Sequence, residues 1–131
     1  MTDDVGSPSR QGAAIPPDDP GRYLTVVSAD DEGLAQIGWF GNTYTVLLSG
    51  QDTAGQYFLV DMLIPAGRGA RPHRHNFEEM ITLLQGQLEF SFRGQQTTVR
   101  AGQTVNIPAN APHFFHNASG DTTICRHSPT T

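Results

Sequence analysis

The chain has 131 residues and a net charge of −5, with 37% hydrophobic and 16% charged side chains. This length predicts one domain with its own core and excludes two domains. The acidic balance argues against a nucleic-acid partner, because phosphate binding needs clustered basic residues. No apolar run approaches the roughly 18 residues of a membrane span.

The predicted elements begin after a polar N-terminal segment. Residues 1–20 hold four of the nine prolines and almost no large apolar side chain, so they are predicted to form a disordered tail. A single domain is expected to cover residues 21–131. The first residues lack the apolar stretch of a secretory signal, and the single cysteine, Cys125, cannot form an internal disulfide. Both features predict a cytoplasmic protein.

From residue 22 onward the sequence predicts short β-strands separated by turn residues. The predicted strands are residues 22–27, 36–40, 43–49, 57–64, 80–84, 87–93, 96–100, 104–107, 113–117 and 122–127. Gly41 and Asn42 indicate a tight turn, and Gln85 and Gly86 indicate a hairpin between two of the strands. No segment shows the 3.6-residue apolar period of a helix. The series therefore favours an all-β barrel or sandwich.

Histidines are unevenly distributed, and none of the five precedes His73. His73, His75 and Glu79 have the same parity, so on a regular strand they would share one face. His113 comes from a later strand that barrel closure can bring alongside them. Imidazole and carboxylate together suit a divalent transition metal such as Fe, Mn, Ni, Co or Zn. Two histidines at this spacing are, however, also common on an exposed strand.

These residues occur in two motifs marked by glycines. The motifs are Gly67-x5-His73-x-His75-x3-Glu79-x6-Gly86 and Gly102-x5-Pro108-x-Asn110-x2-His113-x3-Asn117. They resemble the two motifs of the cupin superfamily, over residues 43–127 of this chain. The resemblance implies a cupin jelly-roll barrel, also called a double-stranded β-helix. It also implies one divalent metal ion held by His73, His75, Glu79 and His113.

Within the superfamily, the chain resembles small bacterial cupins related to quercetin dioxygenases. That resemblance implies cleavage of a small phenolic or enolic, flavonol-like substrate with O2, with Glu79 as both ligand and general base. The same ligands also serve metal-dependent isomerases and lyases that act through a metal-bound enolate. A non-catalytic cupin that binds a small molecule is a third alternative, whereas no helix-turn-helix segment is evident that would indicate a transcription factor. The family also predicts a homodimer, which would protect exposed strand edges.

Five further residues are candidates for lining a substrate pocket, although ordinary barrel packing explains them equally well. They are Tyr44, Tyr57, Met62, Phe77 and Phe115. Asn110 stands where the family usually has glycine, and asparagine is the best substitute for glycine in a left-handed turn. His116 is expected at the surface or behind the ligands. His127 is expected in the polar C-terminal tail, without a functional role.

Overall fold

The computed structural model describes residues 14–129, which form ten β-strands and no α-helix. The strands are β1 (Gln36–Trp39), β2 (Asn42–Leu48), β3 (Leu59–Ile64), β4 (Gly69–His73), β5 (Glu79–Gln85), β6 (Gln87–Phe92), β7 (Gln95–Arg100), β8 (Thr104–Ile107), β9 (His113–His116) and β10 (Thr123–Pro129). Within this range, no helix is long and apolar enough to cross a membrane. The predicted tail, residues 1–20, lies mostly outside the described residues.

The strands form two antiparallel sheets. One has six strands in the order β1-β2-β3-β10-β5-β8, and the other has four in the order β4-β9-β6-β7. Strands that follow one another in the chain therefore often lie in different sheets, which is typical of a jelly roll. The prediction of an all-β jelly roll is confirmed.

Apolar side chains from both sheets meet between them and form the core. In β6, Leu88 and Phe90 are buried while their neighbours are only half-buried, which is the period of two expected of a strand with one face inside. Burial of each large apolar side chain contributes about 1.5–3 kcal/mol to folding. The buried core residues are Met62, Ile64, Ile81, Leu83, Leu88, Phe90, Val99, Ile107, Phe115 and Cys125.

Two strand-level predictions were wrong. Residues 22–27 form no strand, and Tyr23, Leu24 and Val26 are exposed there. Gln85 and Gly86 do not close a hairpin, because β5 pairs with β8 and β10 whereas β6 pairs with β7 and β9. The chain instead crosses here from one sheet to the other.

The predicted tight turn between β1 and β2 exists, one residue earlier than expected. Its central residues are Phe40 and Gly41, with φ of 50° and 81°, as type I′ hairpin turns require. Asn110 has a φ of 71°, so the left-handed turn expected at this position is present.

Candidate metal centre

One end of the two sheets carries the histidines of both motifs. His73 is the last residue of β4, and His113 is the first residue of β9. The two histidines are directly opposite each other in the β4–β9 ladder, after an irregularity in register between Ala70 and His73. A β-bulge of this kind re-aims a side chain, and here it brings His73 beside His113.

Three imidazole rings converge at this end. The ring centroids of His73 and His113 are 4.4 Å apart, and His75 lies 5.6 Å from His73 and 5.1 Å from His113. One ligand nitrogen from each of the three lies within 4.8 Å of the other two. The three histidines therefore form a group that could hold a metal ion.

A backbone carbonyl sets the tautomer of each ring. Nδ1 of His73 lies 2.7 Å from the carbonyl oxygen of Arg71. Nδ1 of His75 lies 3.1 Å from the carbonyl oxygen of Phe77, and Nδ1 of His113 lies 2.9 Å from that of Ala111. A carbonyl oxygen only accepts, so Nδ1 carries the proton in each ring and Nε2 keeps the lone pair that a metal needs. The donor set therefore fits a divalent transition metal, for which neutral imidazole is a favoured ligand.

Glu79, the first residue of β5, lies beside this group. Its Oε1 atom is 3.1 Å from Nε2 of His75. Two ligand atoms that each lie about 2.1 Å from one ion, at a right angle, are about 3.0 Å apart. The observed separation therefore suits two neighbouring ligands of one ion.

Electrostatics favour the ligating form of both Glu79 and His113. Burial is the largest influence on the pKa of Glu79 and would raise it, but the hydrogen bond from His127 and the attraction of His127 and His75 in their protonated forms together lower the pKa below its usual value. Burial, with the neighbouring His73 and His75, also lowers the pKa of His113. The carboxylate is thus ionised and the imidazole neutral at neutral pH.

His73, His75 and Glu79 do not share one face of a regular strand, contrary to what their parity predicted. The strand β4 ends at His73, and residues 74–78 form a loop that contains His75. The loop is held to the second motif because the backbone N–H of Asn110 donates to the carbonyl of His75 at 2.7 Å. Glu78 points outward and accepts hydrogen bonds from the side chain of Asn106 and the backbone N–H of Ala109.

Three cavities border the candidate ligands. One, of about 370 Å³, borders His113 and is lined by Pro72, Ser91, Arg93, Gly94, Gln96, Pro112 and Phe114. A cavity of about 270 Å³ borders His113 and is lined by Phe90, Phe92, Thr97, Val99, Val105, Asn106, Ile107 and Pro108. A cavity of about 200 Å³ borders Glu79 and is lined by Tyr44, Phe58, Val60, Phe77, His127 and Pro129. All three are mainly apolar. The last two are smaller than the roughly 300–1,000 Å³ typical of pockets for drug-sized ligands, whereas the first lies at the lower end of that range.

The five candidate pocket residues are divided between these cavities and other places. Tyr44 and Phe77 line the cavity beside Glu79, and the ring of Phe77 stacks on His75 at 4.0 Å. Tyr57 is exposed just before β3 and borders none of these three cavities. Met62 and Phe115 point into the core and do not border these cavities either, which agrees with the alternative of ordinary barrel packing. Each of the two borders a further cavity away from Glu79 and His113.

His127 does not lie in a polar C-terminal tail, as was expected, but in β10. Its side chain is only 6% exposed, and its Nδ1 atom is 2.9 Å from Oε2 of Glu79. In the structure Thr123, Cys125, His127 and Pro129 are buried and alternate with less buried residues to the end of the strand. The predicted strand, residues 122–127, already included His127, but nothing in the sequence identified its partner.

Two neighbouring groups are kept protonated. Burial, with the charges of Asp61 and Glu79, raises the pKa of the Cys125 thiol to about 12. Burial, with the charges of Glu79 and Cys125, raises the pKa of Tyr44 to about 12 as well. Cys125 is therefore a thiol and not a nucleophilic thiolate at neutral pH.

The fold and the histidine group define an all-β jelly-roll protein with a candidate metal centre at one end. The family model described as "Cupin domain" matches residues 60–125, which is just over half of the chain. The chain belongs to the cupin family.

Among curated proteins, the chain is similar to the HTH-type transcriptional regulator PuuR of Escherichia coli (strain K12). The two are 29% identical over 119 residues, which cover 88% of this chain and 62% of PuuR. The chain thus spans less than two thirds of the length of this relative.

Among solved structures, the chain is similar to the polyketide cyclase RemF from Streptomyces resistomycificus. The TM-score is 0.73 at 22% identity, over 82% of this chain and 80% of RemF. A predicted oxalate decarboxylase from Thermotoga maritima matches with a TM-score of 0.70 at 18% identity, over 81% of this chain and 98% of that one. At these identities the likeness establishes the fold.

Proposed function

We propose that this protein is a metal-dependent enzyme that acts on a small phenolic or enolic compound, and specifically a dioxygenase that uses O2. The observation that carries the proposal is the convergence of His73, His75 and His113, each with Nδ1 held by a carbonyl, beside the carboxylate of Glu79. These four residues would hold the ion. When bound, the ion supplies Lewis-acid stabilisation of negative charge on a substrate oxygen and, if redox-active, electron exchange with O2.

Glu79 is the residue that would take the proton of the substrate hydroxyl. Its lowered pKa keeps it ionised and able to accept a proton at neutral pH. Since Oε2 is hydrogen-bonded to His127, Oε1 is the oxygen that faces the centre and would accept the substrate proton. Oε2 can keep its hydrogen bond to His127 while Oε1 accepts the proton.

The apolar walls would orient the substrate and exclude water. The cavity of about 270 Å³ beside His113 offers aromatic and aliphatic surface, with Asn106 and Thr97 as its polar side chains. Phe77 closes the other side of the centre by stacking on His75. The cavity volumes of about 200–370 Å³ suit a compact phenolic or enolic compound.

The first experiment is to measure the metal content of the purified protein and its O2 uptake. The protein is loaded with Fe, Mn, Ni or Co and assayed with an oxygen electrode on a panel of flavonols, simple phenols and other enolic compounds. One bound ion with substrate-dependent O2 uptake is the expected result. Turnover of a panel member without O2 uptake would mean that the protein is not a dioxygenase but an isomerase or lyase that uses the same residues.

The variant Glu79→Gln tests the proton acceptor. We expect it to retain part of the metal and to lose about 10²–10⁴-fold in turnover, the usual contribution of general-base catalysis. Glu78→Gln is the matched control, since this neighbouring side chain faces outward and its amide oxygen can still accept from Ala109. Full activity of Glu79→Gln would remove Glu79 from the role of base.

A ligand-binding module without catalysis is the second candidate. The likeness to PuuR, whose name describes a transcriptional regulator, favours it. Tight binding of a small molecule with no turnover, on the metal-loaded protein, would support this candidate over the enzyme.

We further propose a cytoplasmic homodimer. The strand β1 lies at the edge of the six-stranded sheet, and Ile37, Trp39 and Phe40 expose about half of their surface there. An apolar strand edge favours pairing with a second copy. A monomeric mass in light scattering at micromolar concentration would contradict this part of the proposal.

A further inference from the structure

The carboxylate of Glu79 has a different partner at each oxygen. Oε1 faces His75 at 3.1 Å, and Oε2 faces Nδ1 of His127 at 2.9 Å. Glu79 and His127 are 48 positions apart in the chain but lie on adjacent strands, because β5 and β10 pair. His127 is buried, so water does not compete for this hydrogen bond.

The hydrogen bond has a definite direction. An ionised carboxylate only accepts, so Nδ1 of His127 must carry the donated proton. The other ring nitrogen, Nε2, lies 3.3 Å from Sγ of Cys125, and the protonated thiol can donate to it. The chain of groups therefore runs from the thiol through the imidazole to the carboxylate, with both ring nitrogens satisfied.

We propose that His127 is a positioning residue for the metal centre: it fixes the Glu79 carboxylate so that Oε1 alone faces His75 and the ion. The inference rests on the proposed metal site, but not on the proposed reaction. Without the hydrogen bond to Oε2, the carboxylate can rotate about its side-chain torsions, and Oε1 loses its fixed place beside His75. Groups that orient a ligand from behind in this way typically contribute 10–100-fold to metal affinity.

Two substitutions at position 127 separate orientation from packing. His127→Leu keeps apolar volume but removes the donor, whereas His127→Asn places an amide N–H near the position of Nδ1. Val60→Ala is the matched control, because Val60 is directly opposite His127 in the β3–β10 ladder, is 7% exposed and lines the same cavity. It packs there without a polar contact to Glu79.

The readouts are Mn(II) and Co(II) affinity by calorimetric titration, the visible absorption spectrum of the Co(II) form, and thermal unfolding of the metal-free protein. We expect His127→Leu to bind about 10–100-fold more weakly and to change the Co(II) spectrum. His127→Asn should recover most of the affinity, and Val60→Ala should lower thermal stability while keeping wild-type affinity. Wild-type affinity and spectrum in His127→Leu would overturn the proposal.

A measurement on the unmodified chain covers the case in which His127→Leu does not fold. Long-range ¹H–¹⁵N spectra of the Zn(II)-loaded protein report which nitrogen of each histidine is protonated. Protonated Nδ1 at His127 is expected, and a ring protonated only at Nε2 would overturn the proposal. If the wild-type protein bound no metal, the proposed metal site itself would be wrong. Wild-type metal affinity in His127→Leu would show instead that the site exists but does not depend on His127.

Discussion

The two regions that meet at Glu79 are built in different ways. On one side, residues 73–78 form an irregular and largely exposed segment whose histidines are held by carbonyls only two residues away. On the other side, β10 lies inside the six-stranded sheet between β3 and β5, and its inward side chains are buried. The tautomers of the candidate histidine ligands therefore depend on local backbone geometry, whereas the position of the Glu79 carboxylate depends on long-range strand pairing.

The largest expected effect is the loss of metal on removal of one of the converging histidines, either from the exposed segment or from the buried start of β9. His73→Ala and His113→Ala should each abolish stoichiometric binding, measured by elemental analysis, because each removes one of the three converging nitrogens. The metal-free variants should nevertheless differ in stability. His73 is exposed and His113 is 3% exposed, so only His113→Ala should lower the free energy of unfolding, by about 1–3 kcal/mol.

A full equivalent of metal in His113→Ala would remove that residue from the ligand set. Equal free energies of unfolding of the two metal-free variants would show instead that the exposed and the buried histidine do not differ in their contribution to stability.

The next effect concerns the contact between β4 and β9, which places His73 opposite His113. A Cβ atom on Gly69 would lie 2.1 Å from the carbonyl oxygen of Phe115, so Gly69→Ala must push the two strands apart. We expect a loss on the order of 3 kcal/mol in urea unfolding, together with weaker metal binding. Gly38→Ala is the control, since a Cβ atom there meets nothing within 4 Å.

The control should stay within about 0.5 kcal/mol of the wild-type stability. Unchanged metal affinity in Gly69→Ala would mean that the spacing of β4 and β9 does not set the histidine geometry.

The last effect, which is absent at neutral pH, is a loss of stability at alkaline pH. It tests whether the side chains buried against β10 are shielded from water. The pKa of Cys125 is raised from 9.0 to about 12 and that of Tyr44 from 10.0 to about 12. Between pH 9 and 12 the unfolded chain therefore releases protons that the folded chain keeps, so stability is fully present below pH 9 and falls as pH rises. Each group can contribute a slope of up to about 1.4 kcal/mol per pH unit.

Chemical unfolding of the chelator-treated protein across this range measures the slope. Cys125→Ala should flatten it between pH 9 and 10, where Cys125 is the first of the two groups to respond. A variant curve parallel to the wild-type curve would show that the thiol is not isolated from water.

Much of the fold and part of the candidate site could be predicted from the sequence. Strand alternation and turn residues predicted most of the strands, because a half-buried strand imposes a period of two on its own residues. The left-handed turn at Asn110 was predicted from the residue type, because asparagine is the best substitute for glycine in such a turn. His73, His75 and His113 were singled out by their spacing, and the local carbonyls that set their tautomers belong to the same short segments.

Other features depended on partners that are distant in sequence. The chain around Gln85 and Gly86 has the composition of a hairpin, but the two strands pair with other neighbours and diverge into different sheets. Residues 22–27 have strand-forming side chains but no adjacent strand. Met62 and Phe115 looked equally suited to a pocket or a core, and only the packing of the two sheets decided for the core.

The sequence by itself determined the family, the all-β class and the three histidines, because these depend on residue type and short spacing. The tertiary structure decided which strands are neighbours, where the cavities lie and that His127 contacts Glu79. The physical reason is that a hydrogen bond between residues 48 positions apart exists only after β5 and β10 have paired, and neither residue carries a local pattern that identifies the other.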